Sequence, residues 1–331
     1  MLPGTCWRPE RAHSSGGSGG DGYPAEVSAP PGPSPTAGSP GAPVLLLIEA
    51  PTENEPLTGA GYTPADPVAP HLRVDDLGAS RGDGVFETIG VFDGQPRQLE
   101  PHLARFARSA ALLGLPAPRL EVWRAAVLEA IETAGPSTDL AVKIVLTRGV
   151  EGAQTCTGWL LASAIANMDA ARSDGVRVVT LDRGYASDVA VTSPWLLQGA
   201  KYTSYAVNMA ALREARRQGA DDAIFLSSDG FVLEAPTATV VLREGDTLIT
   251  PATDQGILPG TTQEEVFAFA AARGLRTHAR PVPESELRAA TQVWLCSSVR
   301  LCAPVRSIDG RPLDVDQALT ADLLTSLRTG S

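Results

Sequence analysis

Lysine is almost missing from this chain. Of 27 basic residues only two, Lys143 and Lys201, are lysines, and the other 25 are arginines. A GC-rich genome favours arginine codons and accounts for the bias. Even so, chemistry that requires a primary amine has two side chains to choose from. Histidine is also scarce: His13, His71, His102 and His278 lie far apart. The four cysteines, Cys6, Cys156, Cys296 and Cys302, show no CxxC spacing. A disulfide framework or a His/Cys zinc site is therefore not expected, and no metal site is assigned; a reducing cytoplasm fits. There is no basic run, and the net charge is −11. This argues against a nucleic-acid or anionic-membrane partner. The apolar stretch around Val44 to Ile48 is too short to span a bilayer. No apolar segment precedes the N-terminal Gly/Ser tract, so no secretory signal is expected.

What is present suggests about two domains in 331 residues. Residues 1–43 hold nine Gly, nine Pro and six Ser. Such a segment buries too little apolar area to offset its ordering entropy, so a disordered extension or a misassigned start is expected. From Val44 onward helices and strands alternate. Val85–Phe92 reads as a strand, followed by an Asp93-Gly94 turn. Pro101 opens a helix that Gly114 ends, and Arg119–Ala134 reads as a second. Ala141–Thr147 and Trp159–Ala164 read as strands. A polar linker follows at 167–175. Then come a strand at Val176–Leu181 and a helix at Lys201–Arg217, with Tyr205, Met209 and Leu212 on one face. Ala223–Leu226 and Phe231–Glu234 read as a hairpin, as do Thr237–Leu242 and Thr247–Thr250. A helix at Thr262–Arg273, stopped by Gly274, and a strand at Val293–Ser297 complete the pattern. The expectation is an α+β fold of two domains, 44–166 and 176–331.

Several residues could carry chemistry. Lys201, at the start of its helix, could be an amine that condenses with a carbonyl, or an ordinary surface lysine; its charge opposes the helix dipole there. Lys143, mid-strand, reads as a solvated outward side chain. Glu234 closes an apolar strand and is either a solvent-facing end or a carboxylate paired with a cationic ring nitrogen. Thr261 with Glu264, or Thr262 with Glu265, satisfies a capping box. Leu258-Pro259-Gly260 before them also allows close backbone approach, and a hydroxyl at a helix N-terminus suits a phosphate. Arg105 is either a solvated helix arginine or a phosphate clamp. Arg81-Gly82-Asp83-Gly84 lacks a nucleotide-binding pattern.

In order, RGDGVFET (81–88), HLARF (102–106), the Lys201 segment, SSDGFVLEA (227–235), ILPGTTQ (257–263) and CSSVRLCAPVRSIDG (296–310) resemble the fold-type IV pyridoxal-phosphate enzymes. These are the class IV aminotransferases. The resemblance covers about 71–310. It implies a two-domain fold with pyridoxal 5'-phosphate between the domains, and a homodimer acting on a small molecule. Lys201 matches the lysine that bonds the cofactor, and Glu234 the glutamate on the pyridine nitrogen. Arg105, Thr261, Thr262 and Ser298 match the phosphate site, and Tyr205 the tyrosine near the ring hydroxyl. Phe86 would line the substrate side, with Arg148 and Arg300 as anion binders. Gln263 stands where the family commonly has Arg, and Thr239 where it commonly has Asn. No Arg-x-His follows Thr147-Arg148-Gly149, which counts against a D-specific transaminase. RGDGVFET with LPGTTQ looks most like the aminodeoxychorismate lyase subgroup; the alternative is an aminotransferase for branched-chain or D-amino acids.

Overall fold

The computed structural model describes residues 42–135 and 139–330. The expected disordered extension at 1–43 lies almost entirely outside these residues.

A first sheet of six strands comprises β1 (Val44–Ile48), β2 (Tyr62–Ala65), β3 (Gly84–Phe92), β4 (Gln95–Pro96), β5 (Leu140–Thr147) and β6 (Thr157–Ala164). Its order is β2-β1-β6-β5-β3-β4, with every pair antiparallel. A short helix α1 (Leu77–Arg81) leads into β3, and α2 (Leu99–Leu112) and α3 (Leu120–Ala134) cover one face. Val85, Ile89 and Val91 point into this core with Phe106 and Trp123, whose rings meet edge-on at 5.1 Å. Period-2 alternation then turns Phe86 and Thr88 to the other face.

After α4 (Asp169–Ser173), a second, mixed sheet comprises β7 (Val176–Asp182), β8 (Asp222–Leu226), β9 (Thr239–Glu244), β10 (Thr247–Pro251), β11 (Arg276–Arg280), β12 (Gln292–Ser297), β13 (Leu301–Ile308) and β14 (Arg311–Pro312). The order is β11-β10-β9-β12-β13-β7-β8, with β14 on β13. Between β7 and β8 lie α5 (Val189–Thr192) and α6 (Ala206–Arg217); α7 (Thr261–Ala272), α8 (Glu284–Ala289) and α9 (Gln317–Thr329) follow. Trp294 anchors a core with residues of α7 and α9, its indole N–H donating to Thr320 Oγ1 at 3.0 Å.

Two expectations gain detail and two need correction. The polar stretch 167–175 contains the short helix α4. The hairpin of 223–226 with 231–234 forms, through the antiparallel Leu226–Val232 bridge, Leu233 N–H to Phe225 O and Phe225 N–H to Glu234 O, although its second arm is too irregular to be a strand. Helix α6 begins at Ala206, so Lys201 lies outside it. The buried face of α6 is Ala211 and Ala215, while Met209 is exposed.

Candidate active site

The Lys201 segment is held extended because its backbone groups are already engaged. Phe86 N–H of β3 donates to Lys201 O at 3.0 Å, and Lys201 N–H donates to Ser109 Oγ of α2 at 3.0 Å. Thr203 N–H donates to Gly84 O, and Tyr202 bridges to Val85. A helix cannot start until these partners are exhausted. Lys201 therefore precedes α6 by five residues, and its charge does not sit in the helix's first turn. Gly82 makes the approach possible: it is left-handed at φ +70°, and a Cβ there would lie 2.3 Å from Ser204 Oγ. The RGDG turn is thus a brace for the lysine segment.

Lys201 Nζ lies 4.7 Å from the Phe86 ring centre and 5.9 Å from that of Tyr205. It opens onto a cavity of about 330 Å³ shared by elements of both sheets. Burial pushes its amine down to about 8, against the pull of Glu87. Glu234 lines the same cavity, its Oε2 accepting from Leu258 N–H at 3.1 Å. Burial pushes that carboxyl up to about 7, and Leu258 N–H and the nearby cations only partly oppose it. A carboxylate so placed gains most from a cation beside it.

Arg105, which lines the same cavity, is bound by both oxygens of Glu87, each at 2.7 Å, and donates to Pro259 O at 2.6 Å. This fixes the plane of a guanidinium that is 5% exposed and leaves N–H groups over for the cavity. Gly260 caps α7, with Thr261 and Thr262 as its first two residues. The capping box does not form: no side chain caps this helix, and Thr261 Oγ1 instead lies 3.2 Å from His102 Nε2. The first N–H groups of a helix have no partner within it. A Cβ on Gly260 would meet Thr239 Oγ1 at 2.3 Å, so Thr239 packs beneath the turn. Ser298, between β12 and β13, comes close because Gly90 of β3 has no side chain; a Cβ there would be 2.2 Å from Ser298 O.

Of the ten site residues singled out from the sequence, nine line this cavity: Phe86, Arg105, Lys201, Tyr205, Glu234, Thr261, Thr262, Ser298 and Arg300. Tyr205 packs edge-on against Phe86, and its hydroxyl donates to Pro236 O at 2.6 Å. Arg300 donates to the buried Asp222 at 2.9 Å, while its Nε and Nη2 are buried without a partner. Arg148 is not brought to the site. Its guanidinium is spent on Asp83 and on the carbonyls of Leu113 and Gly114, bracing the RGDG turn instead.

Three residues escaped the sequence reading. Glu87 is a charge in the core-facing row of β3, where alternation calls for an apolar side chain. His102 sits one helical turn before Arg105, so the i, i+3 spacing was there to be read. Arg183 stacks 4.4 Å from the Phe225 ring centre, lines the cavity and keeps one buried nitrogen without a partner. Lys143 is exposed, as expected, but it does not point away from the site. It pairs with Thr88 across β3 and β5, on the face that carries Phe86, and its Nζ is 5.0 Å from the Phe86 ring centre.

Residues 84–308 match the family Amino-transferase class IV. A bifunctional aminodeoxychorismate lyase / D-amino acid transaminase of Mycobacterium tuberculosis is 44% identical over 257 residues, 75% of this chain and 89% of that protein. A fold IV-transaminase from Curtobacterium pusillum has a TM-score of 0.85 at 51% identity, covering 87% of this chain and 98% of the other. A hypothetical aminotransferase from Mycobacterium tuberculosis, in its PLP-bound form, has a TM-score of 0.79 at 39% identity, covering 87% and 99%. The chain belongs to the class IV aminotransferase family.

Proposed function

We propose that the chain is a pyridoxal 5'-phosphate enzyme that converts 4-amino-4-deoxychorismate to 4-aminobenzoate and pyruvate, as a cytoplasmic homodimer with domains at 44–166 and 176–331 joined by 167–175. The observation that carries the cofactor is the meeting of Lys201 and Glu234 in one cavity, and RGDGVFET with LPGTTQ is what favours elimination over exchange. An amine held at about 8 and a carboxyl held at about 7 suit a carbonyl and a ring nitrogen. The residues present fit the cofactor. Arg105, Thr261, Thr262 and Ser298 would hold its phosphate, Glu234 its nitrogen, and Tyr205 would stand beside the ring. When bound, the cofactor supplies a carbonyl for the substrate amine and a ring that accepts the electron pair of the carbon losing its proton.

The chain supplies the rest. Lys201 Nζ, an appreciable part of it unprotonated near neutral pH, takes the proton from the carbon bearing the nitrogen. Glu234, as an anion, stabilises a protonated ring nitrogen. Phe86 forms a face of the substrate side. Arg300, with two donors unpaired, and Lys143, beside Phe86, are read as contacts for the substrate carboxylates. Expulsion of the enolpyruvyl group gives an aromatic ring, so positioning and deprotonation are the protein's main tasks.

Amino-group exchange with a 2-oxo acid is the second reading. It is favoured by the two activities in the name of the 44% identical relative and by the transaminase at 51% identity. The two readings part after the first proton transfer, when Lys201 either leaves elimination to proceed or returns the proton. Supplying the loaded protein with 4-amino-4-deoxychorismate should yield 4-aminobenzoate with equimolar pyruvate. Exchange between amino acids and 2-oxoglutarate with no 4-aminobenzoate would overturn the lyase reading.

A further inference from the structure

One buried titratable group beside the phosphate residues has no task in the reaction above. His102 is 1% exposed. Its Nδ1 lies 2.7 Å from Glu87 Oε2, and its Nε2 faces Ser298 Oγ at 3.0 Å and Thr261 Oγ1 at 3.2 Å. Arg105 and His102 hold the buried Glu87 well below the usual carboxylate range, so Glu87 only accepts. Nδ1 therefore carries a proton. Burial, helped by Arg105 and Lys201, holds His102 below its ordinary value against the pull of Glu87. In the neutral ring Nε2 is then a bare acceptor, turned to two hydroxyls.

Each hydroxyl has one proton to give, and a phosphate dianion only accepts. A proton given to Nε2 is lost to the phosphate. A proton turned to the phosphate leaves the Nε2 lone pair facing hydroxyl lone pairs in a buried site. We propose, resting on the reading of Arg105, Thr261, Thr262 and Ser298 as phosphate holders, that His102 takes up one proton as the phosphate binds. Nε2–H then donates to the hydroxyl oxygens, and both hydroxyl protons turn to the phosphate. The charges around the ring suit the step: Glu87 of β3 receives Nδ1–H, and the incoming dianion offsets the added positive charge beside Arg105 and Lys201. Glu234 and Glu264 act on Arg105 and add negative charge nearby. His102 is thus a positioning residue for the phosphate site.

Pyridoxine 5'-phosphate tests this, since it carries the phosphate but no aldehyde for Lys201. Uptake of one proton makes its affinity fall about tenfold per pH unit between the His102 pKa of the free and occupied protein. The second phosphate ionisation, near pH 6, is complete above about pH 7. Lys201 titrates in any variant that keeps it, so the comparison is between wild type and His102→Gln from pH 7 to 8. Wild type should lose affinity with rising pH more steeply than the variant. On ¹⁵N-histidine-labelled wild type, Nε2 of His102 should be bare without ligand and protonated with it; His71 and His278 are exposed and serve as references. Equal slopes, or an Nε2 that stays bare in the complex, would overturn the proposal and leave the cofactor reading standing. No binding of pyridoxine 5'-phosphate at any pH would overturn both. If His102→Gln does not fold, the spectrum of wild type decides.

Discussion

The two lysines show how far single residues can be read. Composition narrows the amine to Lys143 or Lys201, and motif order selects Lys201. The structure places Lys143 on the same sheet face as Phe86, which only the β3–β5 register reveals. If Lys143 contacts a substrate carboxylate, Lys143→Met should raise KM by about 10- to 150-fold and change kcat by less than about threefold, since a charge-assisted contact is worth about 1.5–3 kcal/mol. Steady-state kinetics separates these terms. Glu234 gives a prediction with a definite sign. Its folded pKa is raised from 4.5 to about 7, so it costs stability as pH climbs from 4.5 through about 7. In cofactor-free protein, Glu234→Gln should be more stable than wild type by about 1–3 kcal/mol at pH 8.5 and by much less at pH 5. Denaturant titrations at the two pH values check it. Loaded with cofactor, the same variant should lose the advantage.

Among the elements, most strands and helices are legible because periodicity reports them directly. β3, α2 and α3 agree with the reading to within two residues. The failures share a cause, since long-range hydrogen bonds override local pattern. Helix α6 starts five residues after Lys201 because β3 and Ser109 claim that segment's backbone. The capping box at Thr261 gives way to a contact with His102, 159 residues away in sequence. Arg148 likewise looks free until Asp83 and two carbonyls are found around it. Arg148→Gln should therefore lower Tm by a few degrees while leaving KM within about twofold, because it loosens a partly exposed brace and not a substrate contact. Thermal unfolding and substrate titration together check it. A large KM effect would return Arg148 to the site.

For the whole molecule, the cavity is made by apposition of two sheets, and no single segment contains it. Motif order predicts which residues share it, because the resemblance spans most of the chain. How they are spaced is not legible, because it depends on close approaches such as Gly90 to Ser298 and Gly82 to Ser204. The account as a whole rests on Lys201 as the amine that bonds pyridoxal phosphate. Borohydride reduction of the loaded protein fixes the cofactor on the side chain that holds it, and peptide mass spectrometry locates it. The account predicts the label on the peptide carrying Lys201 and its absence in Lys201→Ala. A label on Lys143, or an unlabelled Lys201 in active protein, would contradict it.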